Sequence, residues 1–236
     1  MTPNKRLFFL LYIGITVTTV AGILLHECGH WTLHEYFGNK SRIGYDHTLI
    51  YEPNKITHRL RAIEAEYPYA TDNNLDFPLR KEYEVLAKEA RREGMIGVAG
   101  GPLVTMFIVT TALIFLFRYR KKNGTKSTLP VSQWFFVCLS LFCVRNLYGL
   151  LIAGISFHIS RYKNIHGDEF ELSDGFGWNA WSLPVAMAVI SVLIICLVIF
   201  RIVPKQQRAA FFFAGLLAEL SVLYFWIILL GPKLMP

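Results

Sequence analysis

Five stretches of the chain, 7–37, 95–117, 131–159, 181–203 and 209–230, are so long and so apolar that they decide the kind of molecule before any motif is considered. A helix of about 20 apolar residues crosses the ~30 Å hydrocarbon core of a bilayer. In lipid, every backbone N–H and C=O must be satisfied within the segment, which leaves the helix as the way for such runs to cross. The expected fold is an all-α polytopic membrane protein with about five transmembrane helices. Charged residues are only 17% of the 236, too few to clothe a soluble domain, so 1–236 reads as a single membrane-embedded domain. Lys5-Arg6 also resembles a signal-peptide start, with a small-residue site near Ala21, but the apolar run continues past it and the first span is expected to be retained.

The polar residues concentrate in 40–93, which reads as a small α+β insert between the first and second spans. Residues 41–51 are strand-like with imperfect alternation, 79–92 form a charged helix, and Pro53, Pro68 and Pro78 punctuate the insert. The formal net charge of +7 gathers in Arg118, Arg120, Lys121, Lys122 and Lys126, and in Arg201, Lys205 and Arg208, all between apolar runs. Basic groups so placed are topology signals or lipid-headgroup contacts, and no nucleic-acid partner is expected. Cys28, Cys138, Cys143 and Cys196 fall inside apolar runs without a C-x-x-C pair, so no disulfide framework is expected.

Near the end of the first run stands His26-Glu27-Cys28-Gly29-His30. On a helix the i, i+4 spacing puts His26 and His30 on one face a turn apart, so both imidazoles can grip one metal ion with Glu27 beside it. Two neutral imidazoles suit Zn²⁺ and leave positions open for a water, whose proton Glu27 can take as general base. An ionisable group in hydrocarbon costs on the order of 2.5–3.5 kcal/mol, so three of them within five residues need a compensating partner, and a metal supplies one. Cys28 points to a different face and is read as filler.

Counting crossings puts the end of the first span, the start of the second and the 158–179 connector on one side of the membrane. Gly97 and Gly101 form a small-x-x-x-small pair that admits a close helix, and Pro102 frees backbone carbonyls in that turn, so this face is expected to pack on the metal helix and shape the site. A catalytic zinc normally has a third protein ligand, and Asp168, Glu169, Asp174, His158 and His166 in the connector are the candidates; spacing alone does not choose. Arg145 and Asn146, near the middle of the third span, are functional suspects, although Arg145 can also pair with Glu219 in the last span.

These residues resemble the site-2 protease family of intramembrane zinc metalloproteases. His26-Glu27-Cys28-Gly29-His30 matches the family's H-E-x-G-H in its first core helix, and Gly100-Gly101-Pro102 is similar to its Gly-Pro element in the next. The family's third ligand is an aspartate after the third core helix, in one branch within an Asp-Glu stretch that Gly167-Asp168-Glu169-Phe170-Glu171-Leu172 resembles, so the resemblance implies Asp168. The Asn-x-x-Pro…Asp-Gly signature of other members is missing: Asn146 lacks the proline, and Ser173-Asp174-Gly175 keeps Asp174 as a rival. The resemblance implies an intramembrane zinc endopeptidase with one Zn²⁺ per chain, held by His26, His30 and Asp168. Glu27 would be its base, and Gly100, Gly101, Pro102 and Asn146 would shape the substrate site. Its substrate would be a membrane protein, and its setting a bacterial cell membrane. The alternative is a non-proteolytic membrane protein that keeps the metal fold for binding or regulation, against which the intact Glu27 argues. A di-iron desaturase would need several histidine boxes, and the seven histidines here are scattered.

Overall fold

A computed structural model describes residues 5–124, 129–160 and 167–235, the side chains of 159 and 160 excepted. Among the described residues, five helical segments are long and apolar enough to cross a membrane: 5–36, 80–123, 131–158, 182–202 and 205–234. The first is one helix, α1 (Lys5–Tyr36), ended by Gly38 at φ 79°, a left-handed stop of the kind glycine supplies.

The insert begins with an antiparallel hairpin, β1 (Lys40–Ile43) and β2 (Thr48–Glu52), in which Ser41 pairs with Ile50 and Ile43 with Thr48. It lies along the end of α1, where Trp31 Nε1 donates to the Ser41 carbonyl at 3.2 Å. Helices α2 (Lys55–Glu66) and α3 (Pro68–Asp72) follow. Asn54 caps α2 by accepting from the Thr57 N–H, and its own amide donates to Phe37 O and Glu93 Oε2, tying the end of α1 to the next long helix.

That helix, α4 (Arg80–Asn123), corrects one expectation. The charged 79–92 stretch and the apolar 95–117 run form a single 44-residue rod of roughly 66 Å at 1.5 Å per residue. The change from polar to apolar at Gly94 alters what surrounds the helix, while nothing between Arg92 and Met95 breaks its backbone bonds; Pro102 is accommodated inside it. Its buried face is a stripe, Gly97, Gly101, Thr105, Val109, Ala112, Leu116 and Arg120, spaced by three or four residues down the helix, with Gly100 buried beside it.

The third apolar segment is α5 (Val131–Ser140) and α6 (Arg145–Ser160), joined by a 3₁₀ turn at Leu141–Val144, so Arg145 and Asn146 stand where the tighter turn relaxes. A short α7 (Asp168–Gly175) precedes α8 (Ser182–Leu197), which runs on as a wider π turn at Val198–Ile202. The last segment is α9 (Arg208–Ser221), a π-helical stretch at Val222–Leu230 and α10 (Gly231–Leu234).

Leu11, Ile15, Leu116, Trp134, Val137, Val198, Ile202 and Phe211 make the main apolar core, at the end of the bundle where α1 begins and α4 finishes. At that end Arg120 Nε donates to the Ile202 carbonyl at 3.0 Å, bringing the basic residues 118–122 and 201–208 together; Lys126 lies outside the described residues. The outer faces carry large apolar side chains in the open, among them Phe107 at 71% and Leu193 at 63% exposed, an uncovered apolar surface far beyond scattered single residues.

Candidate metal centre

The site is built where α1 and α4 touch. Gly29 and Gly100 meet backbone to backbone: a Cβ on either would fall onto the other's carbonyl group, so no larger residue permits this approach. Along that seam the α4 positions 97, 101 and 105 run antiparallel to the α1 positions 34, 30 and 26. Gly97 lies against the His34 ring, Gly101 against both His26 and His30, and Thr105 Oγ1 is 2.9 Å from His26 Nδ1. The expected packing of the glycine face on the histidine helix is what the fold contains.

His26 and His30 are buried, at 1% and 6% exposure. Their outer nitrogens are occupied by α4: His30 Nδ1 donates to the Gly97 carbonyl at 2.9 Å, and His26 Nδ1 meets Thr105. A carbonyl can only accept, so Nδ1 of neutral His30 carries its proton and Nε2 presents a lone pair inward. This is the outer-shell arrangement that orients metal-ligating histidines.

The third corner comes from α7. Asp168 Oδ2 lies 2.7 Å from His26 Nε2 and 3.2 Å from His30 Nε2, and the two Nε2 atoms are 3.1 Å apart. Bonds of ~2.0–2.1 Å in a tetrahedral zinc shell would set neighbouring ligand atoms roughly 3.3 Å apart, a slight widening of this triangle, most of it at the 2.7 Å edge. Three groups that offer lone pairs, turned on one point, suit a cation, and the residues present fit zinc. Burial opposes ionisation of Asp168, but its contacts with His26 and His30 prevail and hold the carboxyl well below the usual carboxylate range.

Glu27 sits beside the triangle, its carboxylate within 4.8 Å of the histidine ligand atoms and only 3% of the residue exposed. The Thr48 hydroxyl on β2 donates to Glu27 Oε2 at 3.1 Å, so the hairpin orients this carboxylate. A cavity of about 490 Å³ opens in front, lined by Glu27, His30, Asp168, Arg145 and Asn146, by Asp46 and His47 of the hairpin, and by Leu223 and Ile227 of the last segment.

Not every connector candidate comes near. Asp174 is exposed on the outer side of α7 and His158 is exposed on α6; Glu169 is half-buried and lines the cavity without joining the triangle; His166 lies outside the described residues. Asn146 is buried and donates to Ser191 Oγ at 3.1 Å, linking α6 to α8 at the cavity wall. Arg145 is not paired with Glu219: its Nη2 is 3.9 Å from Asp168 Oδ2, and Glu219 accepts instead from Thr19 at 3.0 Å. Sequence reasoning missed Thr48, Thr105 and His34. The last two had a signal, the extension of each i, i+4 series by one more turn; Thr48 had none, because its role depends on how the hairpin folds back. Metal content separates the aspartates: Asp168→Ala should lose most bound zinc while Asp174→Ala keeps it, as measured by elemental analysis, and the reverse ranking would move the third corner to Asp174.

A comparison of the chain with protein-family models, with curated proteins and with solved structures finds no match.

Proposed function

We propose that this chain is an intramembrane zinc metalloendopeptidase that cleaves a membrane-spanning or membrane-proximal protein segment. The observation that carries the reading is the convergence of His26, His30 and Asp168 on one point with the Glu27 carboxylate alongside. The resemblance of His26-Glu27-Cys28-Gly29-His30 to the site-2 protease motif supports it, and so do the uncovered apolar faces of five helices of membrane-crossing length.

When bound, a zinc ion held by His26, His30 and Asp168 would supply Lewis acidity, polarising a carbonyl and bringing the pKa of a bound water to about 7. Glu27 takes the proton of the attacking water and returns it to the leaving amine nitrogen as the C–N bond breaks. Thr48 holds Glu27 in place for both transfers. A helical substrate has its carbonyls already bonded, so it must be unwound to react. The edge of the β1–β2 hairpin that no other strand among the described residues pairs with offers main-chain partners for such an extended segment beside the cavity. The convergence of basic residues at the far end, where Arg120 meets the Ile202 carbonyl, supports a cytoplasmic position for that end by the positive-inside rule, with the site toward the opposite face.

Purified protein should carry about one zinc per chain, and the His26→Ala/His30→Ala double variant should carry essentially none. In cells, the double variant should leave uncut a single-span membrane protein that the wild type cleaves. Stoichiometric zinc in the double variant would end the metal assignment. Loss of zinc with no membrane protein changing would favour the metal-binding alternative.

A further inference from the structure

Arg145 is an arginine in the apolar segment 131–158, and its guanidinium reaches the cavity wall half-buried, at 25% exposure. Among the described residues its charged neighbour within 4 Å is Asp168, at 3.9 Å, too long for a hydrogen bond, and no hydrogen bond holds the guanidinium. Its five N–H donors face a cavity whose wall also carries Asp168, Glu169 and Glu27, yet none of them makes a hydrogen bond among the described residues, which leaves them able to meet an oxygen that enters the cavity. The oxygen it approaches, Asp168 Oδ2, is the one that meets both histidines, so the guanidinium abuts the point where His26, His30 and Asp168 converge rather than a remote part of the cavity. The 3₁₀ turn at Leu141–Val144 ends immediately before it, and Asn146, tied to Ser191, anchors the following turn, so the backbone that aims Arg145 is fixed on both sides.

We propose that Arg145 is a catalytic residue that donates hydrogen bonds to the scissile carbonyl oxygen as negative charge develops on it. The inference rests on the protease reading above. When the water oxygen attacks the carbonyl carbon, the C=O π pair moves onto the carbonyl oxygen, and the guanidinium meets the charge there without giving up a proton. When the C–N bond breaks the pair returns, and Glu27 delivers the water's proton to the amine. A fixed donor of this kind acts on the transition state more than on bound substrate, because the charge exists only there.

The test uses full-length protein in detergent with cobalt in place of zinc, reading the visible cobalt spectrum as dimethylphosphinate, a small tetrahedral oxyanion, is added. Arg145→Met should keep cobalt at the wild-type level and weaken dimethylphosphinate roughly 10- to 100-fold, the loss expected for a charge-assisted hydrogen bond. Arg145→Lys should recover part of the affinity, since it keeps the charge and loses the planar fork. Imidazole, a neutral ligand, should bind all three proteins alike. Unchanged dimethylphosphinate affinity with cobalt retained overturns this proposal alone. Loss of cobalt in both variants also overturns it, by making Arg145 a support for Asp168. Absence of cobalt from the wild type overturns the protease reading and this proposal together.

Discussion

Glu27→Gln protein should fold, insert and hold zinc as the wild type does, and should cut its substrate on the order of 10²–10⁴-fold more slowly. The expectation follows from what each atom near Glu27 does. His26, His30 and Asp168 meet one another without help from Glu27, so the amide leaves the three-cornered site intact. The glutamine carbonyl can still accept from the Thr48 hydroxyl that now meets Oε2 at 3.1 Å, so the hairpin keeps its anchor. What disappears is the lone pair able to take a proton from water, since an amide oxygen is a far weaker base than a carboxylate. Elemental analysis and a single-turnover cleavage assay on the same preparation separate the two properties. Cleavage at the wild-type rate with zinc in place would mean that the proton goes elsewhere and that the mechanism is wrong.

The second large effect requires no change to any ligand. Gly101→Ala should abolish metal binding, although alanine in a helix interior ordinarily stabilises by about 0.5–1 kcal/mol over glycine. A methyl group at 101 would be driven onto the Nε2 atoms of both His26 and His30, whose rings are held on the far side by Gly97 O and Thr105 Oγ1, and making room by parting the helices would undo the Gly29–Gly100 packing and those two contacts. Gly94→Ala on the same helix is the control, because its added Cβ would meet nothing within 4 Å. It should bind zinc normally. Comparable zinc in the two variants would show that the α1–α4 seam is looser than its contacts imply.

How much of this was visible beforehand varies with the physics of each part. Runs of apolar residues mark helices of membrane-crossing length well, and the 181–203 run corresponds to a helical segment at 182–202. Polarity is a poor guide to continuity, which is why α4 read as two elements: its backbone is indifferent to whether the side chains are Lys and Glu or Val and Phe. The i, i+4 spacing of His26 and His30 was sufficient because their chemistry is local to one helix. Asp168 was not accessible in that way. The connector offered several carboxylates and histidines, and the choice depends on where α7 lies. Asp168 faces α1 from its first turn, while Asp174, six residues on, has rotated to the outer side. The partner of Arg145 was equally beyond local reading, since both Asp168 and Glu219 are distant in sequence.

The unbroken α4 has a consequence for how the gene can change. One end of the rod is keyed to the insert, through Glu82 to Arg59 and Glu93 to Asn54; a few residues later the same rod presents Gly97, Gly101 and Thr105 to the histidines. Both fits share one rotational phase. A single codon inserted between 93 and 97 would turn one set about 100° against the other. Every chemically important residue would still be encoded, and a regular α-helix could no longer satisfy both ends. Drift in the length of the insert is therefore expected to enter before Arg80, where loops absorb it, and a deletion or insertion in the three residues between Glu93 and Gly97 would be as inactivating as the loss of a histidine.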